Sequence, residues 1–401
     1  MAKYRQHLQG FLSKKYGTHG SGKHNAWHKN IRESLWRWQG AVEGVGLMDK
    51  RQVLEFYRGK RVLVTGHTGF KGSWLCRILL DAGAEVTGYS LEPPTQPNLF
   101  SQAGLDDVHT VFGDVRDFAT LKKTFDDARP EIVLHLAAQP IVRESYRDPV
   151  GTYATNVMGT VHVLECVRQT ESVRSLLNVT TDKVYHNNEW AWGYRENEPL
   201  DGYDPYSNSK SCSELATHCY KNSFFGDGRV AVSTARAGNV IGGGDYAADR
   251  IIPDCIRAVT EGEPIILRNP QSTRPYQHVL EPLFAYLLIA ASQYEDGSVA
   301  GWYNVGPDER DCVTTEALAK LFCNAWGDGA RYEVRADGGP HEANFLKLDC
   351  SKIKSTLGWR PTWHIEEAVR EVVAFSRQTL VGGNIAEEMQ RGIRAFLEAE
   401  K

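Results

Sequence analysis

Between Lys60 and Ala237 the chain alternates short β-branched runs with stretches whose apolar residues recur every three or four positions. "RVLVTG", "EVTGYS", "EIVLHLAAQ" and "VRSLLNVTT" have the length and branching of buried strands. "GSWLCRILLDAG", "DFATLKKTFDDA", "NVMGTVHVLECVRQT" and "SNSKSCSELATHCYKNSFF" carry helical spacing, and "VAVSTARAGNVIG" reads as a further strand. Such alternation needs right-handed crossovers, so the pattern predicts an α/β fold with a doubly wound parallel sheet. After about residue 245 the alternation becomes irregular. "RIIPDCIRAVTEG", "VLEPLFAYLLIAASQY" and "TTEALAKLFCNAWG" predict a smaller, mostly helical C-terminal lobe, with some strands crossing back.

The chain has 401 residues, 41% hydrophobic and 24% charged, with a net charge of -4. That balance gives no global footprint for nucleic acid or for a membrane surface. The longest apolar run, Leu283 to Ala291, is far short of the ~20 residues a membrane span needs. No secretory h-region opens the chain. The eight cysteines have no C-x-x-C spacing and no histidine cluster, so free thiols in a cytoplasmic protein without a metal site are expected. His278 and His341 stand alone and read as structural. Residues 1–47 differ from the rest: they are basic, contain Trp27, Trp36 and Trp38, and read as an extension expected to be disordered. A basic aromatic arm touching RNA or acidic lipid is the competing reading.

The chemistry gathers at two places. "VLVTGHTGFKGSWL" sets Gly66, Gly69 and Gly72 between a strand and a helix, the Rossmann-type arrangement in which backbone N–H groups approach a pyrophosphate. The alternative is a tight structural turn. An acid usually closes the second strand to hold the ribose. Here Ser90 stands in that position, with Glu92 out of phase, and no arginine marks an extra phosphate; NAD is therefore expected, weakly held. Asp114 and Val115 are positioned to meet the adenine. Farther on, Tyr206 and Lys210 lie four apart, on one face of a helix, where an ammonium would pull the phenol below its usual ~10. Thr181, Asp182 and Lys183 close a strand; a polar strand-end turn is the bland reading of that triplet.

Gly66-x-x-Gly69-x-x-Gly72, "HLAAQP", the strand-end threonine and Tyr206-x-x-x-Lys210 together resemble the extended short-chain dehydrogenase/reductase family. Within it, "GKRVLVTGHTGFKGSWL", "TTDKVY", "GYRENEPLDGYDPYSNSK", "RAGNVIGGGD", "RPYQHVLEPL" and "HEANFLKLD" are similar to nucleotide-sugar 4,6-dehydratases of the CDP-glucose type, from about Met48 onward. Met48 is therefore a candidate natural initiator.

The resemblance implies NAD-dependent oxidation at C4 of CDP-glucose, loss of water across C5 and C6, and hydride return to C6, serving deoxysugar and surface-polysaccharide synthesis. It implies Tyr206 as the O4 base, Lys210 as its partner on the nicotinamide ribose, Thr181 at the C4 oxygen and Asp182 as the acid at the C6 hydroxyl. Lys183 stands where dTDP-glucose enzymes have a glutamate base; it acts either as a neutral base or as a charged stabiliser of the enolate. The cofactor set is Gly66, Thr68, Gly69, Phe70, Gly72, Asp114, Val115, Ala137, Ala138, Tyr206 and Lys210. Substrate contacts are expected from Gln139, Arg143, Asn239, Arg250 and Arg274, with a loop cap as the alternative for Arg143, a structural salt bridge or cap for Asn239, Arg250 and Arg274, and Trp190 and Trp192 as pocket walls or packing residues. The domains then read as 48–245 for NAD and 246–401 for the nucleotide sugar, in a homodimer. Competing readings are a dehydratase or epimerase acting on a CDP-heptose or a GDP-hexose, and a catalytically dead NAD-binding sensor or scaffold.

Overall fold

The computed structural model describes residues 47–335 and 345–399; the readings of His341 and of residues 1–46 fall outside them. Seven strands form the central sheet: β1 (Arg61–Thr65), β2 (Glu85–Ser90), β3 (His109–Phe112), β4 (Ile132–His135), β5 (Ser175–Thr181), β6 (Ala231–Ala237) and, from much later in the chain, β11 (Trp302–Val305). Their order is β3-β2-β1-β4-β5-β6-β11 and every pairing is parallel. β4, β5 and β6 are buried along their whole length, as strands covered on both faces must be. The order reverses between β1 and β4, which opens a crevice at the strands' carboxyl ends.

The remaining strands are short. β7 (Val240–Ile241) pairs with β10 (Gln277–His278), β8 (Ile265–Leu267) with β13 (Tyr332–Val334), and β9 (Thr273–Pro275) with β12 (Cys312–Thr314). The helices used below are α1 (Lys50–Tyr57), α2 (Phe70–Asp81), α3 (Phe118–Ala128), α4 (Gly159–Arg168), α5 (Pro205–Phe224), α6 (Ile251–Thr260), α7 (Leu280–Glu295), α8 (Thr315–Trp326), α9 (Ile365–Leu380) and α10 (Ile385–Glu398). α7 contains the apolar run Leu283 to Ala291 and is buried on all sides from Leu280 to Gln293, as expected of a helix apolar all round. It packs on β5 and β6, and the Tyr57 hydroxyl donates to the Leu287 carbonyl at 2.9 Å.

Two predicted elements are broken. "VAVSTARAGNVIG" leaves the sheet at Gly238, where a Cβ would lie 2.5 Å from Pro275, and resumes as β7 against β10. "NVMGTVHVLECVRQT" opens with a π-turn over Ala154–Met158 before α4 begins. The wide turn holds the Asn156 side chain against the loop after β4: its Oδ1 accepts from Gln139 N at 2.8 Å and its Nδ2 donates to Gln139 O at 3.0 Å.

Candidate active site

The turn after β1 has the form a dinucleotide requires. Gly66 has φ +75°, and a Cβ there would lie 2.7 Å from the Ala137 nitrogen; a Cβ on Gly72 would lie 2.2 Å from the Gly66 carbonyl. On Gly69, the N-cap of α2, the Cβ direction is nearly open, and no side chain caps the N–H groups of the helix's first turn, which lack intrahelical partners. Thr68 Oγ1 lies 2.8 Å from Ser90 Oγ and donates to the Leu91 carbonyl at 2.9 Å. Ser90 thus braces the turn where an acid would have held the ribose. Asp114 follows β3, its carboxyl gripped by the Arg116 side chain and held below the usual carboxylate range by it. Val115 is buried beside it. Ala137 donates its N–H to Thr65 Oγ1 at 3.2 Å.

β5 delivers the second group. Thr181 is its last residue and a 3₁₀ turn over Asp182–Val184 follows. Thr181 Oγ1 donates to Asp182 Oδ1 at 2.9 Å, while Asp182 is 2% exposed and its Oδ2 has no partner. Burial raises the Asp182 carboxyl above its ordinary range, against the pull of Lys183 and Arg274. α5 begins at Pro205 with Asp204 as N-cap, accepting from Ser207 N at 3.0 Å. That cap fixes Tyr206 in the first turn, with Lys210 one turn on.

The expected lowering of the phenol by Lys210 is absent. Desolvation in the cleft floor pushes Tyr206 up to about 12, and a hydrogen bond with Thr181 only partly offsets it. Lys210 instead donates to the Val179 carbonyl at 3.1 Å, and burial lowers it to about 8 against the attraction of Glu214.

Phe70, Arg143, Thr181, Asp182, Lys183, Tyr206, Asn239, Arg250 and Arg274 line one cleft of about 510 Å³. Arg274 is buried on β9; Arg250 precedes α6 at its N-cap position, makes no side-chain cap bond and instead bonds Asp245 at 2.9 Å; Arg143 lies 3.8 Å from Asp249. The other predicted site residues lie outside that lining: Gly66, Thr68, Gly69 and Gly72 in the turn, Asp114 and Val115 beyond β3, Ala137, Ala138 and Gln139 beyond β4, and Lys210 beneath. The Gln139 amide bonds Thr152 Oγ1 at 2.9 Å and accepts from Ile141 N at 2.6 Å, so it shapes its own loop. Trp190 and Trp192 do not line the cleft; Trp190 packs on Tyr194, and Trp192 is 66% exposed. His278 packs between Trp74 and Trp363.

The cleft also holds groups that the sequence reading passed over. Lys71 lies inside the glycine turn itself and lines the cleft. Burial, and then Arg250 and Lys210, lower it to about 7, opposed by Asp182 and Asp245. Arg268, 3.1 Å from Asp249, lines the far end. Beneath the cleft, Glu214 receives Arg236, Thr180 and Thr234. The i, i+4 spacing from Lys210 to Glu214 was the available signal for that residue. Among the described residues no cluster of metal-ligating side chains occurs, and no helix is long and apolar enough to cross a membrane.

A family profile described as GDP-mannose 4,6 dehydratase matches residues 63–372. The chain belongs to that family. Among its relatives is a CDP-glucose 4,6-dehydratase from Salmonella typhimurium, 47% identical over 352 residues, covering 86% of this chain and 98% of that one. Among solved structures, a UDP-glucose 4-epimerase from Thermus thermophilus in complex with NAD is 28% identical with a TM-score of 0.67, covering 79% of this chain and 98% of the other. A dTDP-glucose 4,6-dehydratase from Bacillus anthracis in complex with NAD, 22% identical, shares the fold at a TM-score of 0.69 and covers 80% of this chain and 98% of its own. The 4,6-dehydratase family lies within the extended short-chain dehydrogenases/reductases, and this member is an enzyme.

Proposed function

We propose that this chain converts CDP-glucose to CDP-4-keto-6-deoxyglucose, with NAD as a cofactor that ends each cycle unchanged. The observation that carries the reading is the meeting of Thr181, Asp182, Lys183 and Tyr206 in one arginine-lined cleft. The 47% identity to the Salmonella CDP-glucose enzyme favours the cytidine nucleotide over other bases.

When bound, NAD would supply the hydride acceptor and donor that oxidation at C4 and reduction at C6 of the sugar require. Gly66, Thr68, Gly69, Phe70 and Gly72 would take its pyrophosphate, Asp114 and Val115 its adenine end, and Ala137, Ala138 and Lys210 the nicotinamide ribose. Tyr206 removes the O4 proton, Thr181 hydrogen-bonds the C4 oxygen, and Asp182 protonates the C6 hydroxyl as it leaves as water. Lys183 acts at C5. Arg143, Arg250 and Arg274 neutralise the diphosphate, with Asn239 beside them. Gln139 acts through the loop it shapes. Residues 48–245 would serve the cofactor and 246–401 the nucleotide sugar, apart from α7 and β11, which return to the sheet.

A homodimer completes the reading. Val150, Met158 and Leu215 are 79%, 49% and 52% exposed on the helix Pro149–Tyr153, the π-turn Ala154–Met158 and α5, an apolar face suited to a second copy. Eight thiols without a disulfide fit the reducing cytoplasm.

The test is incubation of the purified chain with NAD and, separately, CDP-, dTDP-, UDP- and GDP-glucose, with the product read by NMR. A 4-keto-6-deoxy sugar from CDP-glucose ahead of the others is the expected result. No such product from CDP-glucose would overturn the reading.

A further inference from the structure

Asp249 joins two walls of the cleft. Its Oδ1 accepts from Arg268 Nη1 at 3.1 Å and lies 3.8 Å from Arg143 Nε. Arg143 sits on the helix Val142–Arg147, which follows β4, and Arg268 directly follows β8. All three residues line the cleft. The side chains of Arg143, Asp249 and Arg268 are 27%, 33% and 33% exposed, so an incoming anion can reach them.

The backbone is bent to put the carboxylate there. Asp249 has φ +59°, one of four residues other than glycine with a positive φ among the described residues. It stands just before Arg250, the N-cap residue of α6. Aspartate tolerates the left-handed region better than most residues, yet still at a cost. The nearby acid Asp245 behaves differently. It is buried, with Oδ2 on Arg250 at 2.9 Å and Oδ1 on the Ala247 N–H at 3.2 Å, so it shapes its own loop.

Resting on the function proposed above, we infer that Asp249 rivals the substrate's diphosphate for Arg143 and Arg268, and so limits how tightly a nucleotide sugar is held. A guanidinium presents the same fork to a carboxylate and to a phosphate. Phosphate oxygens take that fork only as Asp249 gives it up, and the carboxylate left beside them repels them. Apparent affinity is therefore reduced by the share of molecules in which Asp249 keeps the arginines. The product carries the same diphosphate as the substrate, so looser holding of one also speeds the departure of the other.

The test reads binding of CDP to the full chain by calorimetry with NAD saturating, beside initial rates with CDP-glucose. Asp249→Asn removes the charge, keeps the size and suits the left-handed backbone. It is expected to lower the Kd for CDP and the KM for CDP-glucose by about 5–10-fold. Inhibition by cytidine, which has no phosphate, is expected to stay within about twofold of wild type. Asp249→Gly carries the same comparison if the asparagine variant does not fold, because glycine also accepts that φ. A variant that binds CDP less than about threefold more tightly, or more weakly, overturns the rivalry alone; weakening is what a carboxylate that merely positions the arginines would give. Cytidine tightened as much as CDP overturns it too, because the gain would then lie away from the diphosphate. A wild type that does not turn over CDP-glucose overturns the functional reading and the rivalry with it.

Discussion

Arg236 and Glu214 meet through two hydrogen bonds, Nε to Oε1 at 3.0 Å and Nη2 to Oε2 at 2.9 Å, with both side chains sealed from solvent. Burial alone would raise the Glu214 carboxyl, but Arg236 and its neighbours bring it down to about 2. Arg236 also donates to the Tyr185 hydroxyl at 2.9 Å, and Tyr185 donates to Asn304 Oδ1 at 2.6 Å. The pair therefore ties α5, which carries Tyr206 and Lys210, to the chain just past Lys183. Removing one partner leaves a buried charge, so Arg236→Met should cost about 3–5 kcal/mol in urea unfolding. The double variant Arg236→Met/Glu214→Leu should recover much of that loss.

Tyr206→Phe keeps the ring and removes only the acid–base group. Its kcat with CDP-glucose should fall about 10²–10⁴-fold, while KM stays within about threefold, as measured by initial rates. A variant with wild-type kcat would remove Tyr206 from the chemistry.

Lys183→Met separates the two readings of that lysine. If Lys183 is the C5 base, the variant should lose wash-in of solvent deuterium at C5, and kcat should drop about 10²–10⁴-fold. Deuterium incorporation at the wild-type rate, read by mass spectrometry, leaves only the electrostatic role.

The ammonium of Lys71 has a folded-state pKa of about 7, below its ordinary 10.5. Between those values the unfolded chain holds a proton that the folded chain lacks. Stability is therefore lost as pH falls through this window and regained as pH rises. Lys71→Met abolishes the effect. In the cofactor-free protein its stability gain over wild type should be larger near pH 7.5 than near pH 9.5, by about 1–2 kcal/mol in urea melts. A gain that does not change with pH would show that Lys71 titrates normally.

Leu215→Arg, on the exposed face of α5, should convert a dimer into a monomer, as measured by light scattering at micromolar concentration. A dimer unchanged by this variant and by Met158→Glu would locate the interface elsewhere.

Much of the sheet was legible because β1, β4 and β5 read as short branched runs and each helix between them carries its own spacing. The triplet Thr181-Asp182-Lys183 and the pair Tyr206-x-x-x-Lys210 were legible as strand-end and i, i+4 patterns. What escaped depended on distant partners. Nothing local says that Val240 leaves the sheet for Gln277, or that Trp302–Val305 becomes its edge. The Tyr206 phenol was expected to fall and instead rises, because a spacing gives the neighbour but not the burial that outweighs it. Lys71 sat unremarked inside the glycine turn, since its significance comes from Arg250 and Asp182, nearly two hundred and more than a hundred residues away.

The late arrival of β11 bears on how the protein can be cut. A fragment ending after β6 would have the glycine turn and every strand up to Ala237, yet it would present a bare hydrogen-bonding edge where β11 belongs. It would also uncover the face of β5 and β6 that α7 covers. Such an excised half is a candidate for aggregation rather than a portable nucleotide-binding module, and the minimal autonomous unit must extend at least through Val305.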